Sequence, residues 1–377
     1  MTTTTRAVPR RFGTWTALLL VALLVTFIDC AGPLRLEELQ SQDAPLAVDD
    51  DLELARTYAP IVYHGMHPTK GRQDIPTRMD FDGDLRGDNN WESFPRYELP
   101  PTLSYAVLRT ETHVFITYHI FHPRDWSHVR VGVHLTHEND GENLQVVVDR
   151  ASGEVVLLFT QAHYVGGVYA GGQGRAAVFG DADEDIRGPM LLLDADGRPT
   201  PDGTHPGVFV ESHGHGIYGV LDSSADVAVD ADGRAVFDSA GIVFRPAPAG
   251  EPVSEPATLE VAATGRVSTY QLESTTAKLW PAMRDGSLVG EGGLLDGALT
   301  YESPVIRVDV PRYYEADRFS GPFGPDRGIA PFAVDFDFGE GEVGALFFDP
   351  ARRYAETLAV PEPWSTDYED YPFESGP

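Results

Sequence analysis

The chain has 377 residues, 42% of them apolar, and carries 38 Gly, 29 Pro and a single Cys. Its 58 acidic and 28 basic residues leave a formal charge of −30, which argues against nucleic acid, whose binders carry basic stripes, and against direct attraction to anionic lipid. One cysteine excludes an internal disulfide, and the abundance of Gly, Pro, Val, Tyr, Phe and Thr favours strands joined by tight turns over long helices.

In chain order, the first 30 residues read as an export signal. Arg6, Arg10 and Arg11 precede an uncharged, mostly apolar run over residues 16–28, too short for a comfortable membrane span. Cys30 follows at once. It resembles the lipidated cysteine of bacterial lipoproteins, although Phe27, Ile28 and Asp29 stand where that motif takes small residues. The expectation is an exported protein, of the cell envelope or secreted, with membrane association through a lipid on Cys30. Residues 31–50 form an acidic, Pro-containing tether, and 51–58 a short helix ahead of Pro60.

From residue 51 to 360 the pattern predicts one large, mainly β domain: an antiparallel β-sandwich with long loops and a few short helices. An acidic loop runs over 80–95. Strands are predicted at 112–122, 144–148, 154–160 and 205–220, dense in β-branched and aromatic residues. Runs apolar on both faces suggest burial between layers. Residues 165–174 and 181–185 read as loops, and the Asp-Ala-Asp-Gly segments at Asp194 and Asp230 as tight turns. Residues 246–257 read as a linker or surface loop. Further strands are predicted at 258–263, 268–272, 304–310 and 343–348. Ser274 is placed to cap a short helix through Trp280, stopped by Pro281. Residues 361–377 form an acidic, aromatic surface tail. There is no internal repeat, and a monomer is expected.

The chemistry concentrates in THENDGENLQVVVDR, residues 136–150. Asp140 and Glu142 are two apart at the start of a strand and project from one face. His137 can fold back onto that face. Two carboxylates and an imidazole form an oxygen-rich set suited to a divalent cation, calcium or magnesium ahead of manganese or zinc. The competing reading is a plain Asn139-Asp140-Gly141 turn whose acidic groups face water. His213 and His215 alternate on the predicted strand and should face the same way; alone such a pair packs, and near a cation it binds substrate or moves a proton. Asp80, Asp82 and Asp84 start like a calcium EF loop, but Leu85 and Trp91 replace its Gly and Glu. The zincin pattern fails at position 141, and neither a G-x-S-x-G elbow nor a phosphate loop is present. Trp91, Trp126 and Trp280 read as core or rim residues.

The same segment resembles the central heptapeptide, GHRHDWE, of the necrosis- and ethylene-inducing peptide-like (NLP) proteins. His137, Asp140 and Glu142 match; Asn139 replaces a histidine and Gly141 the tryptophan. The resemblance implies that these three are cation ligands. It adds Asp125, which ends a Phe121-His122-Pro123-Arg124-Asp125 turn similar to the family's YFPKD, as a fourth. It also implies a ligand-binding role near the cavity for His163, Glu211, His213 and His215. The resemblance covers residues 105–220. The remainder is similar to proteins described as vacuolar-sorting-like, through Phe81–Trp91 and a segment running from Tyr270 to Trp280. The implied function is binding of a glycan or glycolipid headgroup. A metal-dependent hydrolase, with His163, His213 or His215 handling the proton, is the first alternative. A structural protein whose cation only staples loops is the second.

Overall fold

The computed structural model describes residues 49–87, 89–125, 137–162, 165–172, 177, 179–180, 184–237, 240–257, 265–288, 331–334, 336 and 344–373. The export signal, Cys30, His163 and the strands expected at 258–263 and 304–310 lie outside them.

Helix α1 (Asp49–Thr57) opens the described chain and gives way to Pro60, as predicted. The strands then follow in sequence: β1 (Ile61–Gly65), β2 (Thr102–Thr110), β3 (His113–Asp125), β4 (His137–Asp149), β5 (Val155–Ala162), β6 (Val165–Gly172), β7 (Ile186–Met190), β8 (Leu192–Leu193), β9 (His205–Val210), β10 (Ile217–Gly219), β11 (Val227–Val229), β12 (Ala235–Phe237), β13 (Gly241–Pro246), β14 (Arg266–Ser274) and β15 (Tyr368–Glu369). The helices after α1 are short: α2 (Asn90–Ser93), α3 (Trp280–Arg284), α4 (Ala345–Phe348) and α5 (Pro350–Thr357).

The chain is mainly β, but it is not an antiparallel sandwich. Thirteen strands form one mixed sheet in the order β10-β9-β1-β13-β14-β2-β3-β4-β5-β6-β7, with β8 on β9 and β15 on β2. Strands β2 to β6 make an antiparallel meander, whereas β1–β9, β13–β14, β14–β2 and β6–β7 pair in parallel. Side-chain alternation reports which face is buried and carries no information on the direction of the partner strand, so the sequence could not separate the two. The sheet also curls towards closure. Gly219 of β10 lies on the ring of Tyr169 of β6, so close that a Cβ there would come within 2.9 Å. Tyr169 Oη donates to Asp222 just beyond β10, at 3.1 Å.

Both faces of the central strands are covered, which explains their two-sided apolar runs. On one face Phe115 of β3 stacks on Tyr354 of α5, and Gln145 of β4 donates to the Leu346 carbonyl of α4 at 2.8 Å. Three local expectations change. Residues 165–172 form strand β6, because β5 supplies an antiparallel partner for a glycine-rich run. Val343–Phe348, apolar enough for either state, ends in α4, entered through Gly344 at φ 86°. Ser274 does cap, accepting from the Ala277 N–H, but Pro281 occupies the first turn of α3, where no N–H is required, and does not end the helix. The Asp194 and Asp230 turns form as predicted, with Gly197 and Gly233 both at φ 81°. Among the described residues no helix is long and apolar enough to cross a membrane.

Candidate functional site

The β3–β4 ladder sets the site. Across it His122 faces Asp140, Ile120 faces Glu142, His119 faces Asn143 and Asp125 faces His137. Directly opposed residues share a face, so Asp140 and Glu142 lie on the face of His122, as their spacing predicted. All three are buried. Asp125, three residues beyond His122 along β3, is buried opposite His137. The His137 side chain lies outside the described residues.

On the Asp140 face the central group is His215, which is fully buried. Its Nδ1 is 2.7 Å from Asp140 Oδ2 and its Nε2 is 3.3 Å from Asp74 Oδ1. Carboxylate oxygens only accept when ionised, so both ring nitrogens donate and the ring is an imidazolium. Burial opposes this charge, but the hydrogen bonds to Asp140 and then Asp74 outweigh it and hold the pKa at about 10. Asp74 ends a 3-10 turn (Gly71–Asp74). It also accepts from the His67 N–H at 2.5 Å, the His213 N–H at 3.2 Å and the Ser212 hydroxyl at 3.4 Å. Burial alone would raise Asp74, and the bond and charge of His215 hold it below its usual value.

Two neutral rings complete the group. His64 of β1 bonds through Nδ1 to the Gly65 carbonyl at 2.8 Å, which places its proton there. Its Nε2 then accepts from His122 Nε2 at 2.9 Å. His122 lies flat on His215. Burial is the first cause pushing His64 down to about 4, assisted by the His215 charge and opposed by Asp74. His122 is held well below its usual value by burial, then by His215 and His64. Behind the strands, His119 Nδ1 meets Asn143 Oδ1 at 3.1 Å, and Asn143 donates to Gln161 at 3.0 Å. Burial pushes His119 to about 4.

The strand predicted over 205–220 is interrupted here. Between β9 and β10 the chain turns at 211–216, with His213 at φ 81° and His215 at φ 51°. His213 and His215 therefore do not face the same way. His215 enters the buried group, while the half-buried His213 stays at the rim, edge-on to His67 with centroids 4.4 Å apart and 3.3 Å from Gln73 Nε2. The Glu211 N–H closes the turn on the Gly216 carbonyl at 3.1 Å. On the opposite side Asn139, at φ 59°, accepts from Asn90 and donates to the Gly87 carbonyl at 2.7 Å. This ties the Phe81–Trp91 segment to the head of β4. Arg124 lies 3.7 Å over the Trp91 ring. His64, Asp74, His119, His122 and Asn143 were not singled out as site residues from sequence, although His122 lies in the Phe121–Asp125 turn and Asn143 in the 136–150 segment.

The carboxylates and imidazoles suit a divalent cation by type, and the His137 side chain expected among its ligands lies outside the described residues. Among them no group of three or more His, Cys, Asp or Glu is gathered to hold an ion. Asp140 Oδ2 accepts from His215, and Oδ1 accepts from the Gly141 N–H at 3.1 Å. The Asp80 loop is likewise satisfied from within, by Lys278 Nζ at 2.8 Å. Among the described residues no hydroxyl or thiol bonds to a ring nitrogen of His64, His122 or His215.

No family model matches the chain, and no curated protein matches it. Several solved structures do. One described as "Toxin fold for microbial attack and plant defense" is 14% identical, with 67% of this chain and 85% of that chain covered and a TM-score of 0.29. "NLPPya in complex with glucosamine" is 18% identical, covering 48% and 71%, with a TM-score of 0.26. "Crystal structure of non-toxic HaNLP3 protein" is 13% identical, covering 60% and 78%, with a TM-score of 0.26. The likeness is remote, and two of these three structures are described as NLP proteins.

Proposed function

We propose that this chain is a binding protein, not an enzyme, and that the rim of the histidine–carboxylate group takes a glycan or glycolipid headgroup. The observation that carries the reading is where backbone strain collects. Four non-glycine residues among those described have positive φ, and three of them, Asn139, His213 and His215, surround this group. Such conformations persist where the surroundings over-determine them, and they gather at ligand clamps and other functional sites. The buried part is closed to a substrate, because the rings of His64, His122 and His215 are fully enclosed. The rim offers the half-buried His213 and Glu211, hydrogen-bonding groups of the kind that fix hydroxyl-bearing ligands. With a formal charge of −30 on the whole chain, a neutral or amine-bearing sugar is favoured over an anionic one. An export signal and a lipid on Cys30 would present this rim at the cell envelope.

A glycan array probed with the purified protein tests the reading. Binding to neutral or amine-bearing glycans, lost in His213→Ala and Glu211→Gln, is expected. Binding confined to sulfated glycans, an empty array, or turnover of any glycan would overturn it. The structural alternative is favoured by one observation, the complete burial of His215. It predicts an empty array and a protein whose only response to these substitutions is lost stability.

A further inference from the structure

We infer that the cleft at the start of β14 is a second ligand site, and that it takes a small carboxylic acid with an apolar body. The carboxylate sits on the Arg266 guanidinium, and the body packs against Ile242 and the prolines of the 252–257 segment.

The cleft has a volume of about 550 Å³, within the range that small-molecule sites occupy. It lies between the start of β14, with Ile242 of the neighbouring β13, and the 252–257 segment. Ile242 pairs with Arg266 across the parallel ladder. The 252–257 segment is held in place by Glu255. Its Oε1 accepts from Arg72 Nε at 2.6 Å, and its Oε2 accepts from Arg72 Nη2 and from the Leu99 N–H, both at 2.9 Å. Among the described residues that line the cleft, only Glu255 and Arg266 are charged. Arg72 answers Glu255, so the charge the cleft presents is that of Arg266. This guanidinium is half-buried, and burial lowers its pKa. It has lost part of its hydration, and an anion beside it is worth more than in open water. Ser268, two residues on and on the same face, and Ser254 across the cleft add hydroxyl donors. Ile242, Pro252 and Pro256 make much of the remaining lining apolar. One cation, two hydroxyls and an apolar remainder match a ligand with one negative charge and a hydrocarbon body. A planar carboxylate fits the fork of a guanidinium through two parallel hydrogen bonds. Polyanions are selected against by the formal charge of −30 on the chain. The cleft shares no residue with the rim, so the inference holds whichever ligand the rim takes.

The experiment titrates octanoate and benzoate into the purified protein, beside octanol, benzyl alcohol and inorganic phosphate, followed by calorimetry and by NMR of backbone and arginine Nε signals. At least one of the two carboxylates should bind and shift the signals of Ser254, Arg266 and Ser268, leaving those of Glu211 and His213 unmoved. The matching alcohol and phosphate should bind about tenfold or more weakly, the worth of a hydrogen bond between charged groups. Arg266→Gln should lose about as much. Ser254→Trp, which fills the cleft from an exposed position, should abolish binding without lowering the melting temperature. No binding of either carboxylate, an alcohol or phosphate that binds as tightly, or an Arg266→Gln protein that binds like wild type would overturn the inference. If Arg266→Gln does not fold, the comparison of carboxylate with alcohol on wild type decides.

Discussion

His122 and His215 lie ring on ring, with centroids 3.6 Å apart and planes 12° from parallel. Only one of two imidazoles in such contact can carry charge without repulsion. The carboxylates decide which. His215 has one at each nitrogen, whereas His122 reaches only the neutral His64. The proton therefore sits on His215, and the neighbouring rings stay neutral.

Stability should peak in a narrow band near neutral pH. His215 is raised from 6.5 to about 10, so its contribution is complete below about 6.5 and is lost as pH rises through 10. His64 and His119 are lowered to about 4, so their contribution is present above about 6.5 and is lost as pH falls towards 4. Asp74, lowered as well, adds to the loss in acid. Each ring is worth on the order of 3 kcal/mol. Urea unfolding between pH 4 and 10 should give a dome with both limbs falling; a flat profile above pH 7 would contradict the charged His215.

Asp74→Asn removes one carboxylate from a fully buried ion pair while leaving the imidazolium in place. Breaking one partner of such a pair costs about 3 to 5 kcal/mol. It also loosens the 211–216 turn, whose His213 N–H and Ser212 hydroxyl bond to that carboxylate. Equilibrium unfolding should report a loss of this size, and hydrogen exchange should show the turn opening ahead of the sheet. A loss below about 1 kcal/mol would mean that the pair is not formed in solution.

Part of this was legible in the sequence. β3 and β5 declare themselves by dense β-branched and aromatic runs, and the two-residue spacing of Asp140 and Glu142 correctly gives them one face. His64 and Asp74 were not legible, because their partners lie 58 and 141 residues away. His64 reads as the end of a strand and Asp74 as a loop acid. The break at residue 211 is invisible for a related reason. Two histidines adopt left-handed backbone because Asp74 draws in the ring of one and the N–H of the other, and hydrophobic period has no term for such a contact.

His213 carries its strained backbone at the rim without being buried, so strain and function should separate there. Replacing it with glycine removes a left-handed penalty of about 1 to 2 kcal/mol for an L-residue. The gain is offset by about 0.5 to 1 kcal/mol for the flexibility of glycine in the unfolded chain. His213→Gly should therefore match or exceed wild type in melting temperature while losing glycan binding. A clear drop in melting temperature would show that the ring's contact with His67 outweighs the strain.

Gly241 is the backbone position on which the placement of His64 depends. It pairs with Gly65 where β13 meets β1, and a Cβ there would fall 1.9 Å from the Phe237 ring and 2.5 Å from the His64 carbonyl oxygen. The ring could turn aside, but the carbonyl belongs to the ladder and cannot move without shifting the strand that carries the His64 imidazole. Gly241→Ala should cost roughly 1 to 3 kcal/mol, the usual range for overpacking. It should also perturb the NMR signals of His64 and His122. Gly250→Ala is the control: its φ is 79° with nothing within 4 Å of the new Cβ, so it should cost only the left-handed penalty and leave both rings unmoved. Equal effects of the two substitutions on the histidine signals would remove the case that β13 positions the site.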